Sequence, residues 1–387
     1  MPRPLAGVRV IEFCNVAAGP FCGMLLADMG ADVIKVENPR GGDGLRHWPP
    51  LTDGFSENFA SLNRNKRSVA LDLKDPADAE SARSLVLGSD VVVENNRPGV
   101  MARLGLDYEA FRERKPSLVY CSISAFGQEG PRAGEAGFDL TIQAISGIMS
   151  VTGEPDGAPV KCGVPIADFS TGLYAAFAVA TALLQVRETG RGTHIDTSML
   201  GASLAIAALQ TSEYFGRRED PVKLGSAHPR NAPYEAFRAG DGHFAMAAGN
   251  DSLWRAACVA IERPELVEDP RFATTALRAQ HQARLRAILE REFAGRRRDD
   301  LLKLFRDAGV PCAPINSYSQ ALADPQVEHM GWVEEIELPS GSRTRTFGSP
   351  LRFGDERFPI YRRPPALGAD NAALLGGSTR GEERADG

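Results

Sequence analysis

A repeating alternation of strand and helix patterns over residues 8–150 constrains the fold of this chain more than any other feature. The first unit comprises an alternating apolar run at 8–13, an apolar helical pattern at 21–29 that stops at Gly30, and a second strand pattern at 31–37. Glycine is common directly after a helix because it adopts left-handed backbone angles without a steric penalty. A strand, a helix and a strand within about 30 residues make a βαβ unit, in which the two strands run parallel.

Further strand patterns continue the alternation, at residues 68–74, 89–94, 118–124 and 193–198. Helical patterns separate them, so the sequence predicts an α/β fold with a mainly parallel, doubly wound sheet. Such sheets bind ligands outside the carboxyl ends of their strands, where this chain has polar loops at 15–20, 95–99 and 125–132. The first loop lacks GxGxxG, which argues against a nicotinamide-type pyrophosphate site. A plain connection and a ligand site fit this loop equally well.

A second domain is expected from the length and from a change of pattern. The 387 residues suit about two domains, and residues 215–232 are polar and irregular enough to mark a crossing between them. After the crossing, the sequence predicts a hairpin around residues 240–242 and three helices, at 251–261, 277–294 and 298–308. We expect the last residues, 376–387, to fray.

Composition and missing motifs exclude several functional classes. The net charge of −6 and the isoelectric point near 5.7 argue against general nucleic-acid binding. HExxH, GxSxG and P-loop motifs are absent, which argues against metal-dependent hydrolysis, serine hydrolysis and P-loop phosphate binding. The six cysteines lack CxxC spacing, which predicts reduced, mostly buried thiols. The N-terminal sequence lacks a signal-peptide pattern, and the most apolar segment, 172–186, is too short for a membrane span, so we expect a cytoplasmic enzyme.

Cationic side chains indicate where a phosphorylated ligand would bind. Arg97 and Arg103 follow a buried strand, and arginines at the carboxyl end of a parallel strand make a credible phosphate-binding corner. Four more cations fall within a short span and suit either polyphosphate binding or a solvated surface. These four are Arg64, Lys66, Arg67 and Lys74.

The stretch 163–172 delivers one carboxylate, Asp168, to the start of an Ala-rich helical pattern. Asp is a frequent N-cap residue, so the sequence predicts that Asp168 caps this helix and that the helix dipole keeps it ionised. The same arrangement suits a plain cap and a nucleophilic carboxylate acting on a substrate with a large phosphorylated handle. The local residues leave both interpretations open.

The ordered motifs of the chain resemble those of the family III coenzyme A transferases, the CaiB/BaiF family. Each motif is short and weak alone, but together and in order they are specific and run nearly from end to end. The matching segments are residues 5–13, 18–21, 25–37, 63–67, 93–99, 126–131, 137–139, 153–155, 167–172, 189–192, 227–229, 269–272, 309–312 and 324–326.

This resemblance implies an α/β protein with a Rossmann-like large domain, a parallel sheet and a smaller inserted α+β domain, assembled as an interlocked homodimer. By the same resemblance, residues 1–215 form the N-terminal part of the large domain and 225–325 form the small domain. Residues 330–387 form a C-terminal segment that returns to the large domain.

The resemblance also implies the site. The aspartate that matches Asp168 is the family's nucleophile, and Asp139 matches an acidic residue near it. Ala17 departs from transferases that carry Gln at this position, which argues against formyl-CoA/oxalate exchange. Arg40, a cation in a flexible turn, is a further candidate for binding coenzyme A. The positions that match the family's coenzyme A contacts are Val16, Ala17, Leu71, Lys74, Asn95, Arg97 and Arg103.

The expected activity is transfer of coenzyme A from a donor acyl-CoA to a small carboxylic or dicarboxylic acid, through an aspartyl anhydride and an aspartyl-CoA thioester at Asp168. Family analogy favours succinyl-CoA as donor, and coenzyme A is then a substrate. We expect no metal, no tightly bound cofactor and no nucleic-acid or membrane partner. Two alternatives remain: an enzyme like the α-methylacyl-CoA racemases, and a non-catalytic CoA-binding protein. The racemase histidine would fall at Phe138, which cannot exchange a proton.

Overall fold

The structure, a computed structural model of the chain, describes residues 3–376. Of residues 376–387, which we expect to fray, only Gly376 lies within the described range. The described residues divide into two compact units. Residues 3–148, 161–216 and 325–376 form the first unit, and residues 149–160 and 217–324 form the second.

Helices and strands alternate along most of the described chain. The strands are β1 (Arg9–Phe13), β2 (Asp32–Glu37), β3 (Leu51–Thr52), β4 (Phe55–Ser56), β5 (Arg67–Ala70), β6 (Val91–Glu94), β7 (Val119–Ser124), β8 (His194–Ser198), β9 (Tyr234–Ala239), β10 (Gly242–Ala247), β11 (Cys312–Pro314), β12 (Val333–Glu337), β13 (Arg343–Phe347), β14 (Arg352–Phe353) and β15 (Glu356–Arg357). The α-helices are α1 (Ala18–Asp28), α2 (Glu57–Asn63), α3 (Pro76–Leu87), α4 (Val100–Arg103), α5 (Tyr108–Phe111), α6 (Asp139–Ile145), α7 (Ile148–Val151), α8 (Ile166–Thr189), α9 (Met199–Ile206), α10 (Ala208–Arg217), α11 (Asp251–Ala260), α12 (Glu265–Glu268), α13 (Thr275–Gln280), α14 (Gln282–Phe293), α15 (Arg298–Asp307), α16 (Tyr318–Leu322), α17 (Pro325–Met330) and α18 (Asn371–Leu375).

Six parallel strands form the main sheet of the first unit, in the order β5-β2-β1-β6-β7-β8. β1 pairs with β2 on one side, with Ile11 opposite Ile34, and with β6 on the other side, with Ile11 opposite Val92. The chain moves outward from β1 in one direction and then crosses to the other side, so the strand order reverses between β1 and β6. The predicted α/β fold with a parallel sheet is confirmed.

Helices cover both faces of this sheet, which explains why its central strands β1, β6 and β7 are buried at nearly every position. Successive side chains of a strand point to opposite faces. Val10 therefore packs in a core with residues of α1 and α8, whereas Ile11 packs in a core with residues of α3, α4 and α5. Burial of apolar surface on both faces stabilises the unit by roughly 25 cal/mol per Å².

α8 approaches α1 closely at Gly172. A Cβ atom at this position would lie 2.7 Å from the carbonyl oxygen of Ala18 and 2.9 Å from Cδ1 of Phe21. One turn earlier, the rings of Phe169 and Phe21 contact each other with centroids 4.7 Å apart. The first turns of α8 are therefore fixed against the start of α1, directly beyond the loop that follows β1.

α8 is the one helix of residues 3–376 that is long and apolar enough to cross a membrane by length and composition. The sequence argument that this segment is too short is wrong, because the helix spans 24 residues rather than the apolar stretch 172–186 alone. Of its most apolar window, 44% is buried inside the chain, and α8 packs against α1 and β7. Other apolar side chains of α8, namely Leu173, Phe177 and Leu184, are exposed in the single chain.

The second unit contains a three-stranded antiparallel sheet in the order β11-β10-β9. The predicted hairpin is confirmed, with Ala239 opposite Gly242 across its turn. Four phenylalanine rings from β9, β10, α14 and α15 contact one another and form the centre of this core. These four are Phe237, Phe244, Phe293 and Phe305.

Three helices that the sequence pattern predicts, over residues 140–149, 199–214 and 277–294, are interrupted in the structure, and the third is divided into α13 and α14 at His281. The expected helix over 140–149 ends as α6 before Gly147, whose φ of 85° is left-handed and breaks the helical backbone. The expected helix over 199–214 is divided into α9 and α10 at Ala207.

The C-terminal segment of the first unit covers the edge strand β5. The backbone N–H of Ser68 donates to Oδ2 of Asp370 at 3.0 Å, and the N–H of Ala70 donates to Oδ1 of Asn371 at 2.8 Å. The Oγ of Ser68 also accepts from the N–H of Gly368 at 3.0 Å. Residues near position 370 thus satisfy backbone donors of a strand that lies some 300 residues earlier in the chain.

Candidate active site

A cavity of about 250 Å³ opens at the carboxyl edge of the six-stranded sheet. Segments that follow β1, β6, β7 and β8 line it, together with the loop before α6 and the first turn of α8. It lies where the strand order reverses, which is where open α/β sheets bind ligands. The predicted site residues that line it are Val16, Ala17, Asn95, Arg97 and Asp168.

Asp168 lies in the first turn of α8, because the helix begins at Ile166 with Pro165 as its N-cap residue. The prediction that Asp168 caps the helix is therefore wrong. The φ of Pro165, −67°, is fixed by its ring and suits the approach to a helix. From the first turn, the Asp168 carboxylate still lies near the positive end of the helix dipole.

The surroundings of Asp168 make its carboxylate more basic than an exposed one. Burial raises its pKa, and the negative charge of Asp139 adds to this, which brings the pKa to about 7. Burial therefore opposes the ionisation that the helix terminus favours, and a pKa of about 7 corresponds to a carboxyl group about half ionised at neutral pH. A carboxyl group with a pKa close to working pH, in a cavity at the strand ends, is typical of a functional site.

Asp139 and Gln143 of α6 contact the segment 162–167, which leads into α8. Oδ1 of Asp139 accepts from the backbone N–H of Ala167 at 3.0 Å. Nε2 of Gln143 donates to Oδ2 of Asp139 at 2.7 Å, and Oε1 of Gln143 accepts from the N–H of Cys162 at 2.8 Å. The structure therefore brings the two predicted acidic residues together and adds Gln143, which the motif comparison did not single out.

Val16 has a φ of 65°, a left-handed conformation that is unfavourable for a β-branched residue. Oδ1 of Asp43 accepts hydrogen bonds from the N–H groups of Val16, at 3.0 Å, and Leu45, at 2.9 Å. Asp43 is fully buried, and its Oδ2 pairs with Nζ of Lys35 at 2.8 Å. This buried ion pair holds the loop containing Val16 and Ala17 in the shape that lines the cavity.

Asn95 bonds to the backbone of Asn15 in both directions. Its Oδ1 accepts from the Asn15 N–H at 2.9 Å, and its Nδ2 donates to the Asn15 carbonyl at 2.8 Å. These bonds join the loops that follow β1 and β6, the two strands at the point of reversal. Asn95 therefore fixes the wall of the cavity that it lines.

A second cavity, of about 350 Å³, shares Asn15 and Asn96 with the first. Leu71, Lys74 and Arg103 line it, so the structure places three more of the predicted coenzyme A positions around one space. Two cations at its wall suit a phosphorylated ligand.

Arg40 lines neither of these two cavities. Its exposed guanidinium pairs with Asp72, with Nη2 and Oδ2 2.7 Å apart. Asp72 itself lines the second cavity, so Arg40 lies one side chain away from it.

Three of the four clustered cations are structural, contrary to both sequence interpretations. Arg64 pairs with Asp28 at 2.7 Å, Lys66 pairs with Glu12 at 2.8 Å inside the core, and Arg67 pairs with Asp370 at 3.0 Å. They neither bind polyphosphate in this arrangement nor form a solvated face. Lys74, lining the second cavity, is the remaining member.

Sequence reasoning missed two polar residues that shape the site. Gln143 could have been found from its position four residues after Asp139, since residues spaced i and i+4 share a helix face. Asp43 follows a Gly-rich turn and gives no local signal of its buried bond to the loop after β1.

The sequence profile of CoA-transferase family III matches residues 5–371. Among curated proteins, the chain is 41% identical to succinate–glutarate CoA-transferase of Agrobacterium fabrum, over 96% of this chain and 95% of that protein. It is 37% identical to succinyl-CoA:glutarate CoA-transferase of Homo sapiens, over 100% of this chain and 88% of the human protein. Among solved structures, it is similar to a CaiB/BaiF family protein from Brucella suis, with a TM-score of 0.85, 40% identity, and coverage of 97% and 99% of the two chains.

Proposed function

The chain belongs to CoA-transferase family III, and from that premise we propose that it transfers coenzyme A from succinyl-CoA to glutarate or a closely similar dicarboxylic acid, with Asp168 as nucleophile. The observation that carries the proposal is the placement of Asp168, a carboxylate with a pKa of about 7 in the cavity at the strand ends. The names of the two relatives support the choice of acids.

The proposed first half-reaction proceeds in two steps at Asp168. Its carboxylate oxygen attacks the thioester carbonyl carbon of succinyl-CoA, the C–S bond breaks, and coenzyme A leaves as a thiolate. The product is a mixed anhydride between succinate and Asp168. The thiolate then attacks the aspartyl carbonyl carbon, the C–O bond breaks, and succinate leaves, so that coenzyme A remains on Asp168 as a thioester.

The second half-reaction reverses these steps with the acceptor. A carboxylate oxygen of the acceptor attacks the aspartyl thioester, which releases the thiolate and forms a new mixed anhydride. The thiolate attacks the acyl carbonyl carbon of the acceptor, which gives the new acyl-CoA and restores the Asp168 carboxylate. No net proton transfer is required, so the site needs a basic carboxylate rather than an acid–base pair.

Two features of the site support a nucleophilic role for Asp168. A raised pKa gives the ionised carboxylate greater basicity than an exposed aspartate, and basicity generally accompanies nucleophilicity. The first turn of α8 places its dipole where negative charge develops in the tetrahedral intermediates.

The two adjoining cavities support an extended binding mode for coenzyme A. The phosphorylated end suits the cavity lined by Lys74 and Arg103, and the thioester end suits the cavity that contains Asp168. Binding energy from the remote phosphates can then be used to position the reacting carbonyl. Val16, Ala17, Asn95 and Arg97 line the path to Asp168 in this arrangement.

The covalent step is tested by trapping. Wild-type protein is incubated with succinyl-CoA and hydroxylamine, digested, and analysed by mass spectrometry. We expect a hydroxamate at Asp168, none in Asp168→Asn, and an unchanged amount in Glu188→Gln, which alters an exposed carboxylate on the same helix. Transfer that proceeds at full rate without any modification of Asp168 would contradict the covalent mechanism.

Phe138 argues against the racemase alternative. It lines the Asp168 cavity where a racemase of this fold would need a proton-exchanging histidine, and its ring is 72% exposed. We therefore expect no deuterium uptake at Cα of a 2-methylacyl-CoA incubated in D₂O. The proposed acids are tested by chromatography of the CoA esters formed in a donor-by-acceptor panel.

We also propose that two copies of the chain assemble as an interlocked homodimer and that the second unit is the inserted domain of the family. Exposed apolar side chains on α8 support an interface: Leu173, Phe177 and Leu184 are 54%, 68% and 58% exposed. Light scattering should give the mass of two chains for wild type and for the control Gln185→Lys. The double variant Phe177→Glu/Leu184→Glu should not give a stable dimer.

A cytoplasmic location remains part of the proposal. It is supported by the six cysteines, all of which are free thiols and four of which are buried. In the proposed reaction, coenzyme A esters also bind and are released in each cycle, as soluble substrates and products.

A further inference from the structure

α6 presents two polar side chains one turn apart, and both contact the segment that leads to Asp168. Asp139 and Gln143 are spaced i and i+4, so they share a helix face. Asp139 accepts from the N–H of Ala167, at the end of segment 162–167, and Gln143 accepts from the N–H of Cys162, at its beginning. One helix thus holds both ends of this segment.

Gln143 joins these two contacts into one unit. Its side chain is fully buried, and both ends of its amide are used: Oε1 accepts from Cys162 at 2.8 Å, and Nε2 donates to Oδ2 of Asp139 at 2.7 Å. A buried amide bonded at both ends is strongly oriented, because loss of either partner leaves a buried polar atom unsatisfied, at a cost of about 1–3 kcal/mol.

We propose that Gln143 is a positioning residue of the transfer reaction, and that its amide links Cys162 to Asp139 so that Asp168 is presented to the thioester in one fixed place. This inference rests on the proposed function, since it assigns Gln143 a role only if Asp168 is the attacking group. Gln143 lines neither cavity, so it acts through Asp139 and the segment 162–167 rather than on the substrate.

The amide satisfies both contacts at every pH without carrying a charge, because its oxygen accepts a hydrogen bond and its nitrogen donates one. In Gln143→Glu, the new carboxyl accepts from Cys162 as before, but it donates to Asp139 only while it carries a proton. The variant therefore retains the link at low pH and replaces it with repulsion between two carboxylates at high pH. In Gln143→Leu, the link is absent at every pH.

The charged and titratable groups around this link are few. α6 packs against α8 and α9. α8 contributes Asp168, and α9 contains no titratable side chain. The flanking segments add Lys161 and Cys162 on one side and the exposed pair Arg132–Glu135 on the other. These groups are present in wild type and in each variant, so the ratio of variant to wild-type activity at each pH removes their direct effect. A higher pKa of Asp168 in Gln143→Glu would lower this ratio only below that pKa, whereas loss of the link lowers it up to the highest pH.

The test compares wild type, Gln143→Glu, Gln143→Leu and the control Gln185→Glu, which changes an exposed glutamine of α8. Folding is verified by circular dichroism and thermal unfolding. The readouts are kcat and KM for succinyl-CoA from pH 5.5 to 8.5, and the rate of hydroxamate formation at Asp168. For Gln143→Glu, we expect the kcat ratio to wild type to fall at least tenfold from the lowest to the highest pH, with KM within about twofold. For Gln143→Leu, we expect a loss in kcat of about 10- to 100-fold at every pH. Gln185→Glu should give a constant ratio near one.

A pH-independent ratio for Gln143→Glu overturns the inference, as does a full kcat for folded Gln143→Leu. If Gln143→Leu does not fold, the pH dependence of Gln143→Glu decides alone. Failure of the proposed function is distinguishable, because wild type itself would then form no hydroxamate at Asp168. Wild type that forms the hydroxamate, beside variants that match it at every pH, removes only the role assigned to Gln143.

Discussion

Two opposing influences act on the Asp168 carboxylate, and burial is the larger. The helix dipole favours the ionised form, whereas desolvation and the charge of Asp139 favour the protonated form and raise the pKa to about 7. In its proposed role as nucleophile, Asp168 must be ionised to attack, so we expect the fraction of active enzyme to change within the physiological pH range.

The pH dependence of transfer follows from this pKa. We expect kcat/KM for succinyl-CoA to rise with pH through about 7 and to level off above, because the carboxylate form increases in that direction. Asp139→Asn removes the neighbouring charge, so it should move the rising limb to lower pH. A limb that stays in place in this variant would contradict the contribution assigned to the charge of Asp139.

The same pKa has a consequence for stability. An aspartate with a folded pKa above its unfolded value destabilises the folded state increasingly from about pH 4 to pH 7, and by a constant amount above that. Asp168→Asn should therefore abolish transfer and yet raise the free energy of unfolding, by about 2–4 kcal/mol above pH 7. Urea unfolding at pH 4, 6 and 8 measures this. A gain that is largest at pH 4 would contradict the burial argument.

At the scale of a single residue, the sequence identified Asp168 as the candidate carboxylate but did not reveal its burial or its neighbour Asp139. The motif around Asp168 was readable, but an aspartate at the N-cap and one three residues later in the first turn are both favoured, and the choice depends on Pro165. Burial and the approach of Asp139 arise from packing of α6 on α8, which no local pattern specifies.

The close contact between α8 and α1 controls where Asp168 lies relative to the loop after β1. It depends on Gly172, one turn beyond Asp168, where a side chain would clash with the backbone carbonyl oxygen of Ala18. Elements that meet through a glycine move apart when a methyl group is added.

Gly172→Ala should therefore lower kcat by displacing the first turns of α8. We expect a loss of about 1–3 kcal/mol of stability from overpacking, reduced by up to about 1 kcal/mol through the higher helix propensity of alanine. Gly216→Ala, at a helical position of α10 where an added Cβ meets nothing within 4 Å, is the matched control and should have little effect on kcat and no overpacking cost. Thermal unfolding and steady-state kinetics of both variants test this, and unchanged kinetics in Gly172→Ala would contradict the role of the contact.

The elements themselves were the most predictable part of the chain. Hydrophobic periodicity gave the strands of the main sheet and the hairpin of the second unit, because burial on one or both faces leaves a repeating pattern. Breaks such as the one at Gly147 were missed, since a glycine near a helix end is compatible with continuation or termination. Strand order was not readable from the pattern, because it depends on which distant strands pair.

At the scale of the whole molecule, contacts between residues far apart in sequence determine whether a charged side chain is paired and buried or free to bind a ligand. Arg64 and Asp28 are 36 residues apart in sequence, and Lys66 and Glu12 are 54 positions apart, yet both pairs are buried. From the sequence alone, the four clustered cations therefore looked available to bind a ligand, whereas three of them pair with carboxylates in the folded chain. The resemblance to the family, by contrast, depends on many short motifs in a fixed order, so it does not rely on any single motif.

The contact of the C-terminal segment with β5 predicts the effect of truncation. A chain that ends at residue 365 loses the acceptors of Ser68 and Ala70 and leaves the edge of the main sheet unpaired. We expect it to be destabilised by about 2 kcal/mol or more and to aggregate at concentrations where the full chain does not. A chain that ends at Gly376 retains both bonds and is the control. Equal solubility and unfolding midpoints for the two chains would contradict the protective role of this segment.

This edge also sets a condition on biosynthesis. Ser68 emerges from the ribosome 302 residues before Asp370, the residue that completes its backbone bonding. At about 5–20 residues per second, the nascent protein exposes that open edge for roughly 15–60 s. Neighbouring nascent chains on one messenger RNA carry the same edge at the same time, so we expect edge-to-edge pairing between them to compete with folding during this interval.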